Sequence, residues 1–247
     1  MRRLTAAILV SAGLLGLALF APASAADVLP DLGMARLSDL RIDKNPDGRR
    51  LLRFTTVIVN VGQARFEVRG TRSSTSDAMA VSQRIYDDAG GSQDVATTAE
   101  IFFAGDGHNH WHVRDLESFV LTPVPDNGQK LGTQGKHGFC FWDNTQYRLS
   151  LPGAPQSPFY SGCGSSSSEL TVTMGLSVGW GDTYPWNLAY HWVDITGLNG
   201  GRYRLTVTAD AGGWFAESNE SNNAAWVEFQ LRANGNALRV IQYGPGV

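Results

Sequence analysis

Tyr203-Arg204-Leu205-Thr206-Val207 alternates apolar and polar side chains without a break. In an extended chain successive side chains point to opposite faces. Tyr203, Leu205 and Val207 therefore share one face, and Arg204 and Thr206 the other. The stretch reads as a strand with one buried face. The same signal recurs outward from it. Asn199-Gly200-Gly201 breaks the chain just before, and Leu188–Ile195 alternates ahead of that break. Ala225–Leu231 repeats the pattern on the other side. Leu51–Val61 is rich in Thr, Val, Ile and Phe, and further strands are expected at Phe66–Val68, Val81–Tyr86, Thr97–Phe103 and Trp111–Leu121. No helix pattern stands out between Asp27 and Val247. Many short strands with turn residues between them predict an all-β fold, an antiparallel β-sandwich in a single domain. Leu149–Tyr184 carries Pro152, Pro155, Pro158 and the run Ser165–Ser168, and is expected to be a long irregular segment.

The 247 residues include 20 Lys+Arg and 23 Asp+Glu, for a formal net charge of −3. A composition that is 43% hydrophobic and 17% charged excludes a disordered chain. A weakly negative charge supplies no electrostatic footprint for nucleic acid. Arg2 and Arg3, the apolar run from Leu4 to Phe20 and Ala23-Ser24-Ala25 read as a secretory signal peptide. Cleavage after Ala25 would leave 26–247 as a secreted, extracellular domain. No later segment approaches the ~20 apolar residues of a membrane span. In an exported chain Cys140 and Cys163 are expected to form a disulfide that pins part of the irregular segment.

Rare residue types concentrate in few places. Three of the five histidines are His108, His110 and His112 in Gly107-His-Asn-His-Trp-His. On a strand all three would project to one face, with the outer Cα atoms ~13 Å apart at ~3.3 Å per residue. A bend would let the rings converge on one ion. Neutral imidazoles suit copper, zinc, iron or nickel, and Cu(II) binds most tightly among the divalent ions. His137 and His191 read as packed or hydrogen-bonded residues. Only three lysines are present: Lys44, Lys130 and Lys136.

From here the sequence resembles the lysyl oxidase family. His108-Asn109-His110-Trp111-His112 is similar to that family's copper-binding H-x-H-x-H. Arg49–Phe54 and Asn60–Gln63 resemble its opening strand. Lys136-His137-Gly138-Phe139-Cys140 matches K-x-x-F-C, and Asp182-Thr183-Tyr184 matches D-T-Y. Trp192-Val193-Asp194-Ile195-Thr196 resembles W-I-D-I-T, and Glu217–Asn223 the closing E-S-x-x-x-N-N. The blocks keep the family's order over about residues 31–231.

The resemblance implies a copper-dependent amine oxidase. His108, His110 and His112 would hold Cu²⁺. Lys136 and Tyr184 would form lysine tyrosylquinone, the family's self-made cofactor. A primary amine, peptidyl lysine included, would be converted to an aldehyde with O₂, releasing ammonia and hydrogen peroxide. For Lys136 to add to the ring its amine must be neutral, which burial or a nearby cation favours. A carboxylate is needed to take the substrate proton. Asp182 and Asp194 are the candidates, with Asp115 behind them.

The chain also departs from the family's pattern. Trp180 and Tyr190 stand where animal members have cysteines, which leaves the approach to Tyr184 without that bridge. Phe119 stands where they have a histidine. Two other classes compete: a non-catalytic, copper-binding β-sandwich, and a surface-binding or carbohydrate-binding module. A copper store needs only the histidines, so Lys136 and Tyr184 discriminate between these readings.

Overall fold

The computed structural model describes residues 25–105 and 108–247. The expected signal peptide, apart from Ala25, lies outside those residues. β1 (Asp27–Val28), β2 (Leu32–Met34) and β3 (Ser38–Lys44) lead into the long β4 (Arg50–Asn60). β-branched and aromatic residues dominate β4, and they fit a pleated, buried surface. β5 (Phe66–Thr71), β6 (Ala80–Asp87) and β7 (Ser92–Ala96) form a meander. β8 (Ile101–Phe103) and β9 (Trp111–Arg114) flank the histidines, and β10 (Glu117–Pro123) follows. Two-residue pieces come next: β11 (Thr133–Gln134), β12 (Gly138–Phe139) and β13 (Thr145–Gln146). β14 (Thr171–Leu176), β15 (Trp180–Tyr184) and β16 (Val193–Asp194) complete the site region. β17 (Gly201–Ala209), β18 (Ala224–Leu231) and β19 (Leu238–Tyr243) end the chain.

Pairing is antiparallel, and β4 is the hub. One sheet runs β11-β16-β4-β15-β13, with β2 and β3 also on β4. A four-stranded sheet runs β10-β17-β18-β19, a third runs β1-β6-β5-β14 with β7 on β6, and β12-β9-β8 is a small fourth. Their inner faces share one apolar core containing Phe54, Phe66, Phe139, Phe141, Leu205 and Phe229. The all-β sandwich expected from the sequence is thus observed. Among the described residues no helix is long and apolar enough to cross a membrane.

Several boundaries differ from the sequence reading. Trp111–Leu121 is two strands, because Asp115 takes a positive φ of 51° that turns the chain between them. Thr97–Phe103 is a strand only from Ile101. Leu188–Ile195 is mostly turn: His191 N donates to Leu188 O, and Tyr190 has φ 62°. Only Val193–Asp194 pairs there. The irregular segment also ends earlier than expected, at Leu170, because β14 and β15 follow. In β14, Val172, Met174 and Leu176 are buried while Thr171 and Thr173 are exposed, an alternation hidden in the sequence by the glycine- and serine-rich flanks. Cys140 and Cys163 form the expected disulfide, with Cα atoms 5.9 Å apart.

Candidate active site

Strand register assembles the centre of the site. Tyr184 on β15 lies opposite Thr56 on β4, and Asp182 lies opposite Ile58. With a two-residue period, Asp182 and Tyr184 share a face with Phe54, Thr56 and Ile58. Tyr184 is set among aromatic rings. Phe139 meets its ring edge-on at 5.4 Å, and His191 stacks on it at 6.1 Å with planes 20° apart. Its hydroxyl donates to the carbonyl of Cys140. The disulfide at Cys140 and the bond from Trp111 N to Cys163 O (3.0 Å) tie this wall to the histidine strand.

The histidines do not lie on one straight strand. His108 and His110 precede β9 and only His112 lies in it. Asn109 has φ 46°, a left-handed conformation that asparagine tolerates, and it bends the chain. The bend draws the rings together. Centroids are 5.7 Å apart for His108–His110, 5.7 Å for His108–His112 and 4.6 Å for His110–His112. Nε2 of His110 and Nε2 of His112 face each other at 2.9 Å. That separation is a hydrogen-bond distance, with one ring nitrogen donating to the other. Among the described residues no group of three or more His, Cys, Asp or Glu side chains stands in full metal-holding geometry. An all-imidazole donor set suits copper, zinc, iron or nickel.

Lys136 precedes β12, and β12 pairs with β9. That pairing carries Lys136 to the same place. It is buried, and its Nζ lies 5.3 Å from the Phe139 ring centre and 5.7 Å from that of Tyr184. A cavity of about 350 Å³ is lined by His108, His110, His112, Lys136, Asp182 and Tyr184. Trp142, Pro185 and Leu188 supply apolar wall around these polar groups.

Burial controls the titrating groups. Asp182 is pushed up to about 8, chiefly by desolvation. The neighbouring Tyr184 hydroxyl, the hydrogen bond from Asn144 and the charge of Lys136 oppose that rise. Glu117 is also pushed up to about 8, by desolvation and then by the charge of Asp182. Tyr184 is raised by burial and by Asp182 and Glu117. His191 is pushed down to about 3 by desolvation and by the Lys136 charge.

The other candidates sit elsewhere. Asp194 is not among the residues that line the cavity. Its Oδ1 accepts from Thr196 N, and its Oδ2 lies 3.7 Å from Arg49. Asp115 is half exposed, and its carboxylate is 2.6 Å from His137 Nδ1. Trp180 holds the approach to Tyr184 without a second disulfide: it is buried and donates through Nε1 to Pro155 O at 2.8 Å. Phe119 packs edge-on to Phe54 at 5.0 Å.

Sequence reasoning missed Glu117, Thr56 and Asn144; His191, read as a packed or hydrogen-bonded residue, is both. A signal for Glu117 was present. It shares the inward face of β10 with Phe119 and Leu121, so a carboxylate was being placed among core positions. Asn144 donates to Asp182 Oδ1, a bond made across 38 residues that no local pattern marks.

Residues 96–241 match the sequence model of the family described as Lysyl oxidase. Lysyl oxidase homolog 3 of Homo sapiens is 28% identical over 178 residues, covering 71% of this chain and 18% of that protein. Lysyl oxidase homolog 4 of Mus musculus is 27% identical over 176 residues, with the same coverage of 71% and 18%. The match therefore spans less than a fifth of these relatives' own length. The matched family region takes in more than half of the chain, together with the histidines, Lys136, Asp182 and Tyr184, and on that ground this chain belongs to the lysyl oxidase family.

Proposed function

We propose that the chain is a secreted, copper-dependent amine oxidase. The observation that carries this reading is the approach of Lys136 Nζ to 5.7 Å from the Tyr184 ring centre, in the cavity that three histidines also line. A copper store has no use for that pair. His108, His110 and His112 would hold the metal, and Lys136 and Tyr184 would be the precursors of lysine tyrosylquinone. With both groups in place, their chemistry oxidises a primary amine to an aldehyde, reduces O₂ to hydrogen peroxide and releases ammonia.

The chain's own residues orient the substrate and move its protons. Trp142, Pro185 and Leu188 give the aliphatic stem of an amine such as a peptidyl lysine an apolar wall to lie against. Asp182 lines the same cavity and is the general base of this reading. A carboxyl held near 8 can take and return a proton close to neutral pH. Asn144, donating to Asp182 Oδ1, orients it. Asp194, committed to Thr196 and Arg49 away from the cavity, is left out of this role. Export through the signal peptide, with 26–247 as the mature domain, belongs to the same reading.

Hydrogen peroxide release by full-length, copper-loaded protein supplied with a simple primary amine tests the proposal. Amine-dependent peroxide is expected, lost in Lys136→Ala and reduced roughly 10²–10⁴-fold in Asp182→Asn. Copper bound with no amine-dependent peroxide would instead favour the non-catalytic copper-binding protein.

A further inference from the structure

Behind the cavity wall lies a polar group that the amine chemistry does not use. Glu117, Thr56 and His191 are each 0% exposed. Their partners fix where the protons sit. His191 Nδ1 is 3.0 Å from the carbonyl of Phe54, which can only accept, so Nδ1 carries a proton and, in the neutral ring, Nε2 is an acceptor. Nε2 lies 3.3 Å from Thr56 Oγ1. The same Oγ1 lies 3.0 Å and 3.3 Å from the two Glu117 oxygens. Thr56 has one proton to give. Donated to a Glu117 carboxylate, it would leave Nε2 without a donor in a dry site, which is costly. Donated to Nε2, it leaves Thr56 in need of a donor, and a neutral Glu117 carboxyl supplies one. With His191 neutral, only the second arrangement satisfies every partner; the remaining one, a charged His191 donating to Thr56 and Thr56 to an ionised Glu117, buries an ion pair without water and is disfavoured by desolvation.

The far end of this chain of bonds touches the proposed cofactor pair. The His191 ring stacks on Tyr184 and is itself wedged between Phe54 and Phe119, at 5.0 Å and 5.1 Å. We propose that Glu117, Thr56 and His191 form a buried relay, running from Glu117 O–H to Thr56 O–H to His191 Nε2, that fixes the plane of the Tyr184 ring facing Lys136. The three are positioning residues. Their role towards Lys136 and Tyr184 rests on the function proposed above, whereas the direction of the relay does not.

The electrostatics agree with the geometry. Lys136 and Asp182 face Glu117, and Lys136 and Arg53 face His191. Burial holds Glu117 near 8 and His191 near 3, so both are neutral at pH 7. Raising the pH through about 8 should strip Glu117 and turn the Thr56 hydroxyl towards the new carboxylate.

Nitrogen-15 NMR of the histidines in the full-length, copper-free protein reads the relay directly. The expected result at pH 7 is a neutral His191 protonated on Nδ1. Its Nε2 resonance should move as the pH rises through about 8, and this movement should vanish in Glu117→Gln, whose amide remains a donor. A His191 protonated on Nε2, or an unchanged titration in Glu117→Gln, would overturn the relay. Formation of the Lys136–Tyr184 cross-link after aerobic copper loading reads the positioning role. Thr56→Val, which keeps volume and removes the hydroxyl, should slow it about 100-fold, the scale expected for a reacting group moved by about 1 Å. Glu117→Gln should restore most of what Glu117→Ala loses, and this second pair decides the matter if Thr56→Val does not fold. Cross-linking at the wild-type rate in Thr56→Val, or equal loss in both Glu117 variants, would overturn the positioning role. No cross-link in the wild type would sink the cofactor reading instead, and the NMR result would still judge the relay.

Discussion

The sheet β10-β17-β18-β19 and the wall formed by β4 and β15 use strands in opposite ways. In β17, buried Tyr203, Leu205, Val207 and Ala209 alternate with partly exposed neighbours, so one face meets the core and the other meets water. Arg202 and Arg204 on that outer face bind Glu228 of β18. In β4 and β15 most positions are buried, and the inward face carries Thr56, Asp182 and Tyr184 among apolar residues. Apart from Glu117 on the inward face of β10, the first region is a scaffold whose polar groups lie on its outer face. The second carries polar groups where the folding pattern calls for apolar ones, and the chemistry proposed for the site would need them there.

Substitutions should separate the two regions cleanly. Tyr184→Phe should abolish both the cross-link and amine-dependent peroxide while leaving a folded protein, since only a hydroxyl donating to Cys140 O is lost. Peptide mapping and circular dichroism would check each half of that statement. Leu205→Ala, in the scaffold, should do the reverse. It should cost about 2–5 kcal/mol in denaturant melts and leave the cross-link intact in the fraction that folds. Replacing both Cys140 and Cys163 by Ser opens a loop of 23 residues, and should cost about 3 kcal/mol in the chain-entropy account. Because that loop also fixes the wall at Tyr184, cross-linking should fall with stability in the Cys variant, unlike in Leu205→Ala.

A pH effect follows from the buried acids. Glu117, Asp182 and Glu217 are each raised to about 8, so the folded state holds protons that the unfolded state releases at about 4. Stability should therefore fall as pH rises through that window and level off above about 8. His191, lowered to about 3, acts in the opposite sense below about 6.5, where the unfolded histidine gains its proton. Melting temperatures between about pH 6.5 and 8.5 thus isolate the acids. They should decline over that range, and less steeply in the double variant Glu117→Gln, Asp182→Asn. A flat wild-type profile would remove the buried acids from the account. The smallest effect should come from Arg202→Ala. It breaks a pair whose arginine is 41% exposed, and should change stability by about 1 kcal/mol or less in the same melts.

The contrast also explains what could be read in the sequence. Strands with one wet face, such as β17 and β18, announce themselves by period-two alternation, and the all-β class followed from them. The rare residue types marked His108, His110, His112 and Lys136, and ordered motifs added Tyr184 and Asp182. β14 was hidden by its glycine- and serine-rich surroundings. The turn at His191 was hidden by an alternation that was real but not extended. Asn144, Thr56 and Glu117 act through contacts between distant strands, and register rather than local pattern brings them together. Asp194 shows the converse, a motif residue whose carboxylate serves its own turn.

The central claim is that Lys136 and Tyr184 are placed to become one covalent unit beside a copper held by three histidines. Peptide mapping of full-length protein loaded with copper in air tests it most directly. The account predicts a single cross-linked species carrying both the Lys136 and the Tyr184 peptides, absent when loading is done without oxygen. Recovery of the two peptides separately and unmodified, from protein that has bound copper in air, would contradict it.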